Sequence, residues 1–240
     1  MHRIARIAIA ALASVGMLAS VAACGRGRSS SEKSGTIEVV ASVNQWGTVA
    51  KTLGGDNVNV TSIINSTNVD AHDYEPTTSD IAKLQKAQVI IVNGAGYDAW
   101  AVKAAQSANA TIVNAAAVGG VNDGENPHVW FSADVRKAVA QAITEAYEQA
   151  DAAKRSDFDK LHDQWKSEEN NVESKIAEVK QKSDGLAYAA TESVASYLAE
   201  DMGLTDATPS GYARATANES EPTPTDIRQF ADALKSGEIK

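Results

Sequence analysis

Residues 89–94 read Val89-Ile90-Ile91-Val92-Asn93-Gly94, four β-branched residues in a row closed by an Asn-Gly turn signal. A strand with one wet face alternates apolar and polar residues, so an unbroken run of this kind suits a parallel strand covered on both sides. Its neighbours agree. Upstream lie a β-rich run at Ile37–Ala41, a helical pattern at Trp46–Leu53 stopped by Gly54-Gly55, and a strand at Val58–Ile64. A polar loop leads to a helix over Asp80–Ala87, with Ser79 as its cap and Ile81 and Leu84 facing inward. Downstream, a helix from about Tyr97 to Ala108 and a strand at Thr111–Asn114 complete a βαβα series, an α/β lobe with a mostly parallel sheet.

Further on, Ser132 caps a helix over Ala133–Ala150 that carries Val135, Val139, Ile143 and Tyr147 at helical spacing. From Lys154 to Lys182, Phe158, Leu161, Trp165, Val172, Ile176 and Val179 share one face of a single long helix. At 1.5 Å per residue such a helix runs roughly 44 Å, enough to lie along two lobes and join them. A second alternation follows, with a strand at Leu186–Thr191, a helix at Ser193–Met202 closed by Gly203, and a helix opened by Thr223-Pro224-Thr225 and running to about Ser236. The expected architecture is two Rossmann-like α/β lobes joined by one long α-helix, the C-terminal lobe incomplete at Lys240. The expected divisions are a signal peptide at 1–23, a flexible tether at 24–35, an N-terminal lobe at 36–150, a linking helix at 151–183 and a partial C-terminal lobe at 184–240.

The chain opens with Arg3 and Arg6 and a weakly apolar stretch from Ile7 to Ala23, the pattern of an export signal. It ends in Val21-Ala22-Ala23-Cys24, where a lipoprotein signal peptidase would cut and leave Cys24 acylated. Cys24 is the only cysteine, so an internal disulfide is excluded and a lipid attachment point fits its position. Residues 25–35 hold no large apolar side chain and read as a tether. The formal net charge is −9, and loss of the signal would make it two units more negative. Nucleic acid is therefore a poor partner, whereas a collector of cations suits the charge, as does solubility alone.

Of the four histidines, His2 leaves with the signal and His162, between Leu161 and Asp163, reads as a surface residue. His72 and His128 remain. His72 lies in Asp70-Ala71-His72-Asp73-Tyr74-Glu75-Pro76, a loop after a strand, and His128 in Asn126-Pro127-His128-Val129-Trp130, a loop before a helix. Loops at the carboxyl ends of parallel strands are where α/β proteins hold ligands, and two imidazoles there make half of a metal site. Taken separately, a histidine in such a loop is more often a hydrogen-bonded residue than a ligand. Glu192, at the end of the Leu186–Thr191 strand, is the candidate third donor from the other lobe, and a helix N-terminal charge is the competing reading.

Taken together, these segments resemble the metal-binding lipoprotein family of ABC importers, the zinc and manganese solute-binding proteins of cluster A-I. The resemblance rests on Val21–Cys24, the His72 loop, the Asn126–Trp130 element, the long helix and Glu221-Pro222-Thr223-Pro224, in order along nearly the whole chain. It implies that His72, His128 and Glu192 are metal ligands, with a fourth, usually an Asp, expected beyond residue 240. Glu at the third position resembles manganese-type and iron-type members, although Zn²⁺ binds almost any such donor set more tightly than Mn²⁺. The implied function is capture of one divalent transition-metal ion, Zn²⁺ or Mn²⁺, by a monomeric lipoprotein. Its anchor would be a lipid on Cys24 at the extracytoplasmic face of the cell membrane, and its partner an ABC permease. A metal-dependent hydrolase and a metal-free surface adhesin are the competing readings. No His-Glu-x-x-His stretch supports the first.

Overall fold

A computed structural model describes residues 35–240 apart from Thr67, Asp70, Asp184, Asn218, Glu219, Glu238 and Lys240. The inferred signal, Cys24 and all of the tether except Gly35 lie outside those residues. Four strands form the sheet of the first lobe: β1 (Ile37–Val43), β2 (Val58–Ile64), β3 (Val89–Val92) and β4 (Thr111–Asn114). All neighbours pair in parallel, in the spatial order β2-β1-β3-β4, with Val39 opposite both Val60 and Val89 and Ile91 opposite Val113.

The unbroken apolar run of β3 has a direct cause. Val89 and Ile91 pack with Trp46, Leu53, Ile143 and Phe158 on one face, whereas Ile90 and Val92 pack with Leu84, Ala101 and Ala105 on the other. Both faces are dry, so neither parity of the strand can be polar. The first face is covered by α1 (Asn44–Gly54), α5 (Ala133–Ala150) and the start of α6 (Arg155–Ser183), the second by α2 (Thr78–Lys86) and α3 (Ala99–Ala105). A single-turn helix, α4 (Ala115–Val118), follows β4 and is held by the Asn114 side chain accepting from Ala117 N. Because the chain leaves β1 toward β2 and returns to β3 on the other side of β1, the strand order reverses between β1 and β3. That reversal opens a crevice at the carboxyl ends of the strands.

Several boundaries differ from the sequence expectation. Helix α2 is capped by Thr77, not Ser79: Thr77 and Asp80 bond reciprocally in a capping box, which places Ser79 inside the first turn. Helix α3 starts at Ala99 because residues 94–96 turn with positive φ (78°, 52° and 83°), and Tyr97 sits in that turn. The strand expected at Leu186–Thr191 shrinks to β5 (Ala187–Tyr188), since its parallel partner β6 (Thr205–Asp206) is only two residues long. Helix α7 covers Ser196–Asp201, and two helices follow: α8 (Ser210–Ala217), unforeseen, and α9 (Pro224–Ser236), capped by Thr223 as its sequence suggests. Among the described residues no helix is long and apolar enough to cross a membrane.

The long helix is present over 29 residues, but its apolar stripe is only half used. Phe158 and Trp165 are buried in the first lobe's core, whereas Val172 and Val179 are 49% and 42% exposed. Between them Glu169 is buried, accepting from Arg136 Nε of α5 at 2.9 Å and from the same guanidinium's terminal nitrogen. Arg136 also donates to the carbonyl of Trp130 at 3.1 Å. Removing one partner of a buried pair strands the other charge, so Glu169→Ala is expected to cost about 3–5 kcal/mol in urea unfolding. Glu178→Ala, which breaks an exposed pair with Lys175, is expected to cost less than about 1 kcal/mol. Equal effects of the two substitutions would contradict this assignment.

Candidate metal centre

Three connections converge on the crevice. The loop from β2 to α2 carries His72. It is fastened just beyond that residue, where Tyr74 Oη donates to Asp80 Oδ2 at 2.8 Å and Thr77 N donates to the same oxygen at 2.9 Å. Burial alone would raise the Asp80 carboxyl, but donors from Thr77, Lys83 and Tyr74 outweigh it and hold the group well below the usual carboxylate range. An ionised, fourfold-bonded Asp80 thus pins the loop, leaving His72 exposed beside the buried Ala71.

The second connection is the turn after β3. Asp98, fully buried, accepts from Asn93 N at 2.7 Å and Gly94 N at 2.9 Å. Gly94 has no alternative, because a Cβ there would stand 2.2 Å from Asn114 Oδ1. Ala95 takes φ of 52°, a conformation that costs a non-glycine residue about 1 kcal/mol or more. This strained turn presents Tyr97 to the crevice.

The third connection runs from α4 to α5 and carries His128 immediately before a 3₁₀ turn (Val129–Phe131) whose Val129 is fully buried. Asn93 Nδ2 donates to Pro127 O at 2.9 Å, tying this loop to the end of β3. Asn126 Oδ1 lies 2.7 Å from His128 Nδ1 and 3.1 Å from His128 N.

The two histidines meet. Their ring centroids are 5.7 Å apart, and the Tyr97 ring stands against both, 4.6 Å from His72 and 5.8 Å from His128. The Trp130 ring closes the far side, 5.4 Å from His128 at 79°. A zinc ion held tetrahedrally by two imidazole nitrogens at about 2.0–2.1 Å would set the ring centres roughly 5 Å apart, close to the observed spacing. Burial, then the neighbouring His72, pushes the His128 pKa down to about 4, so its ring is neutral at ordinary pH, as a metal ligand must be.

Glu192 lies elsewhere in this arrangement. It is exposed in the segment between β5 and α7, and among the described residues no three His, Cys, Asp or Glu side chains converge to hold an ion. Its neighbour Ser193 does reach the site's wall, since Asn126 Nδ2 donates to Ser193 O at 2.7 Å and Tyr197 Oη donates to Asn126 O at 2.8 Å. His162, read as a surface residue, is partly buried with its ring centroid 6.2 Å from that of Trp165, and takes no part in the site. Asp70 lies outside the described residues. Tyr97 and Asn93 escaped sequence reasoning, although a polar residue and a glycine-flanked aromatic directly after a buried strand are the signal that marks them.

Residues 39–240 match the family model described as zinc-uptake complex component A, periplasmic. The chain belongs to this zinc-uptake family. Among its relatives is the manganese ABC transporter substrate-binding lipoprotein PsaA of Streptococcus pneumoniae, 27% identical over 253 residues that span 94% of this chain and 77% of that protein. The fold is shared with solved structures. The metal-dependent lipoprotein YcdH of Bacillus subtilis superposes with a TM-score of 0.72 at 22% identity, over 85% of this chain and 77% of that one. Zn(II)-bound AdcA of Streptococcus pneumoniae gives 0.69 at 20% identity, over 85% of this chain and 45% of its own.

The depressed His128 pKa of this family member has a measurable consequence. Between about pH 6.5, the ordinary histidine value, and about pH 4, the unfolded chain takes up the proton and the folded one does not. The His128 contribution to stability is therefore fully present above about pH 6.5 and is lost as pH falls toward 4. NMR titration of the metal-free protein is expected to show a His128 midpoint near 4, and a midpoint at the ordinary value would contradict the burial argument.

Proposed function

We propose that this chain is an extracytoplasmic solute-binding lipoprotein that captures a divalent transition-metal ion, Zn²⁺ or Mn²⁺, and delivers it to an ABC permease. The observation that carries this reading is the convergence of His72 and His128 at the carboxyl edge of the sheet, in a member of the zinc-uptake family. Neutral imidazoles suit zinc and tolerate manganese, and their aromatic surroundings exclude competing water on one side. Glu192 is proposed as the donor from the second lobe. Its segment already touches the His128 loop through Ser193, so a change of loop conformation at this junction, rather than a wide hinge opening, is what its engagement would need. Capture and release need no bond-making step. Cys24 is proposed to carry the lipid that keeps a monomeric receptor at the outer face of the membrane. The names of relatives such as PsaA, a substrate-binding lipoprotein, support that placement.

Occupancy should raise stability by mass action, by about 2.7 kcal/mol when free metal stands at 100 times its Kd. The test is metal analysis of protein refolded from chelator and offered Zn²⁺ and Mn²⁺ separately, followed by thermal unfolding. The wild type is expected to take up about one ion and melt higher, while His72→Ala and His128→Ala each weaken zinc binding by about 100-fold or more. Uptake unchanged in both variants would exclude this site.

A further inference from the structure

Asn126 makes four hydrogen-bond contacts, two to His128 and two to the segment that follows Glu192. Its Oδ1 faces His128 Nδ1 at 2.7 Å and accepts from His128 N at 3.1 Å, while its Nδ2 donates to Ser193 O at 2.7 Å and its own carbonyl accepts from Tyr197 Oη at 2.8 Å. The chemistry of the partners fixes the orientation of the amide. Ser193 O can only accept and the His128 backbone N–H can only donate, so Nδ2 must face the first and Oδ1 the second. An amide oxygen cannot donate, so the proton of the neutral His128 ring must sit on Nδ1. The lone pair is then on Nε2.

We propose that Asn126 is a positioning residue that fixes the His128 tautomer for metal binding and transmits loading of that ring to the second-lobe segment carrying Glu192. The inference rests on the capture reading above, because the ion is placed on Nε2. A cation there withdraws electron density from the ring and makes Nδ1–H a stronger donor to Oδ1. The carboxamide polarises in turn, and Nδ2–H becomes a stronger donor to Ser193 O. Ser193 follows Glu192 directly, and Tyr197, one turn further on, is tied to the same asparagine. The segment from 193 to 197 is thus held at both ends by one residue of the His128 loop, and loading tightens that hold.

Two substitutions separate the roles. Asn126→Asp keeps an oxygen facing Nδ1–H and loses the donor to Ser193, whereas Asn126→Ala loses both. By ¹⁵N imidazole NMR of the whole metal-free chain, wild type and Asn126→Asp are expected to hold the His128 proton on Nδ1, and Asn126→Ala to show a mixture of tautomers. Adding zinc is expected to slow amide hydrogen exchange over residues 194–199 by about tenfold in the wild type and to leave it unchanged in both variants. An Asn126→Ala protein that keeps the Nδ1–H tautomer, or either variant that keeps the zinc-induced slowing, overturns the proposal. Zinc uptake by the wild type without slowing sinks the relay alone. A wild type that takes up no zinc sinks the capture reading and the relay with it.

Discussion

The carboxamide of Asn93, fully buried where β3 ends, holds the site together. Its Oδ1 accepts from Trp46 Nε1 at 2.9 Å, and its Nδ2 donates to Gly94 O at 3.1 Å and to Pro127 O at 2.9 Å. One side chain thus joins a helix on one face of the sheet, the strained turn that presents Tyr97, and the loop that carries His128. A buried amide left unsatisfied costs roughly 1–3 kcal/mol for each stranded group, so these elements move together or not at all. Asp98, with its carboxylate on the N–H groups of Asn93 and Gly94, holds the same turn from the other side.

Two kinds of environment meet across this constraint. The loop of His72 is pinned by an ionised carboxylate and leaves its imidazole exposed, while the loop of His128 is pinned by neutral amides and buries its imidazole among aromatic rings. Under the proposed capture, an ion arriving from solvent would meet the exposed ring first and find the buried one neutral. The long helix is fastened to the same wall. Arg136 bridges Glu169 of α6 to the carbonyl of Trp130, the residue whose ring covers His128. The connector between lobes therefore shares an ion pair with the pocket wall, and the second lobe touches that wall again through Asn126.

Much of this was legible in the sequence, for physical reasons. The run Val89–Val92 could only be a doubly covered strand, and 29 residues of helical spacing could only be one long connector. His72 and His128 stood out because the chain has only four histidines, one in the signal and one on the long helix. What escaped depends on partners distant in the chain. Ser79 and Thr77 are both good caps, and only the reciprocal bond to Asp80 chooses between them. The apolar spacing at Val172 and Val179 predicted burial that no surface among the described residues supplies, while Glu169, polar by type, is buried because Arg136 faces it. Strand β5 stops where its partner stops, which a single strand's sequence cannot reveal. Glu192 was placed by chain order and resemblance, and in the structure it is its neighbour Ser193 that touches the His128 loop, through Asn126.

The central claim is that His72 and His128 hold one ion between them. Zinc K-edge X-ray absorption on the loaded protein tests it most directly. Scattering from two imidazole rings at about 2.0–2.1 Å is expected, with oxygen donors completing the shell. A spectrum with no imidazole contribution, or one unchanged when His128 is replaced, would contradict it.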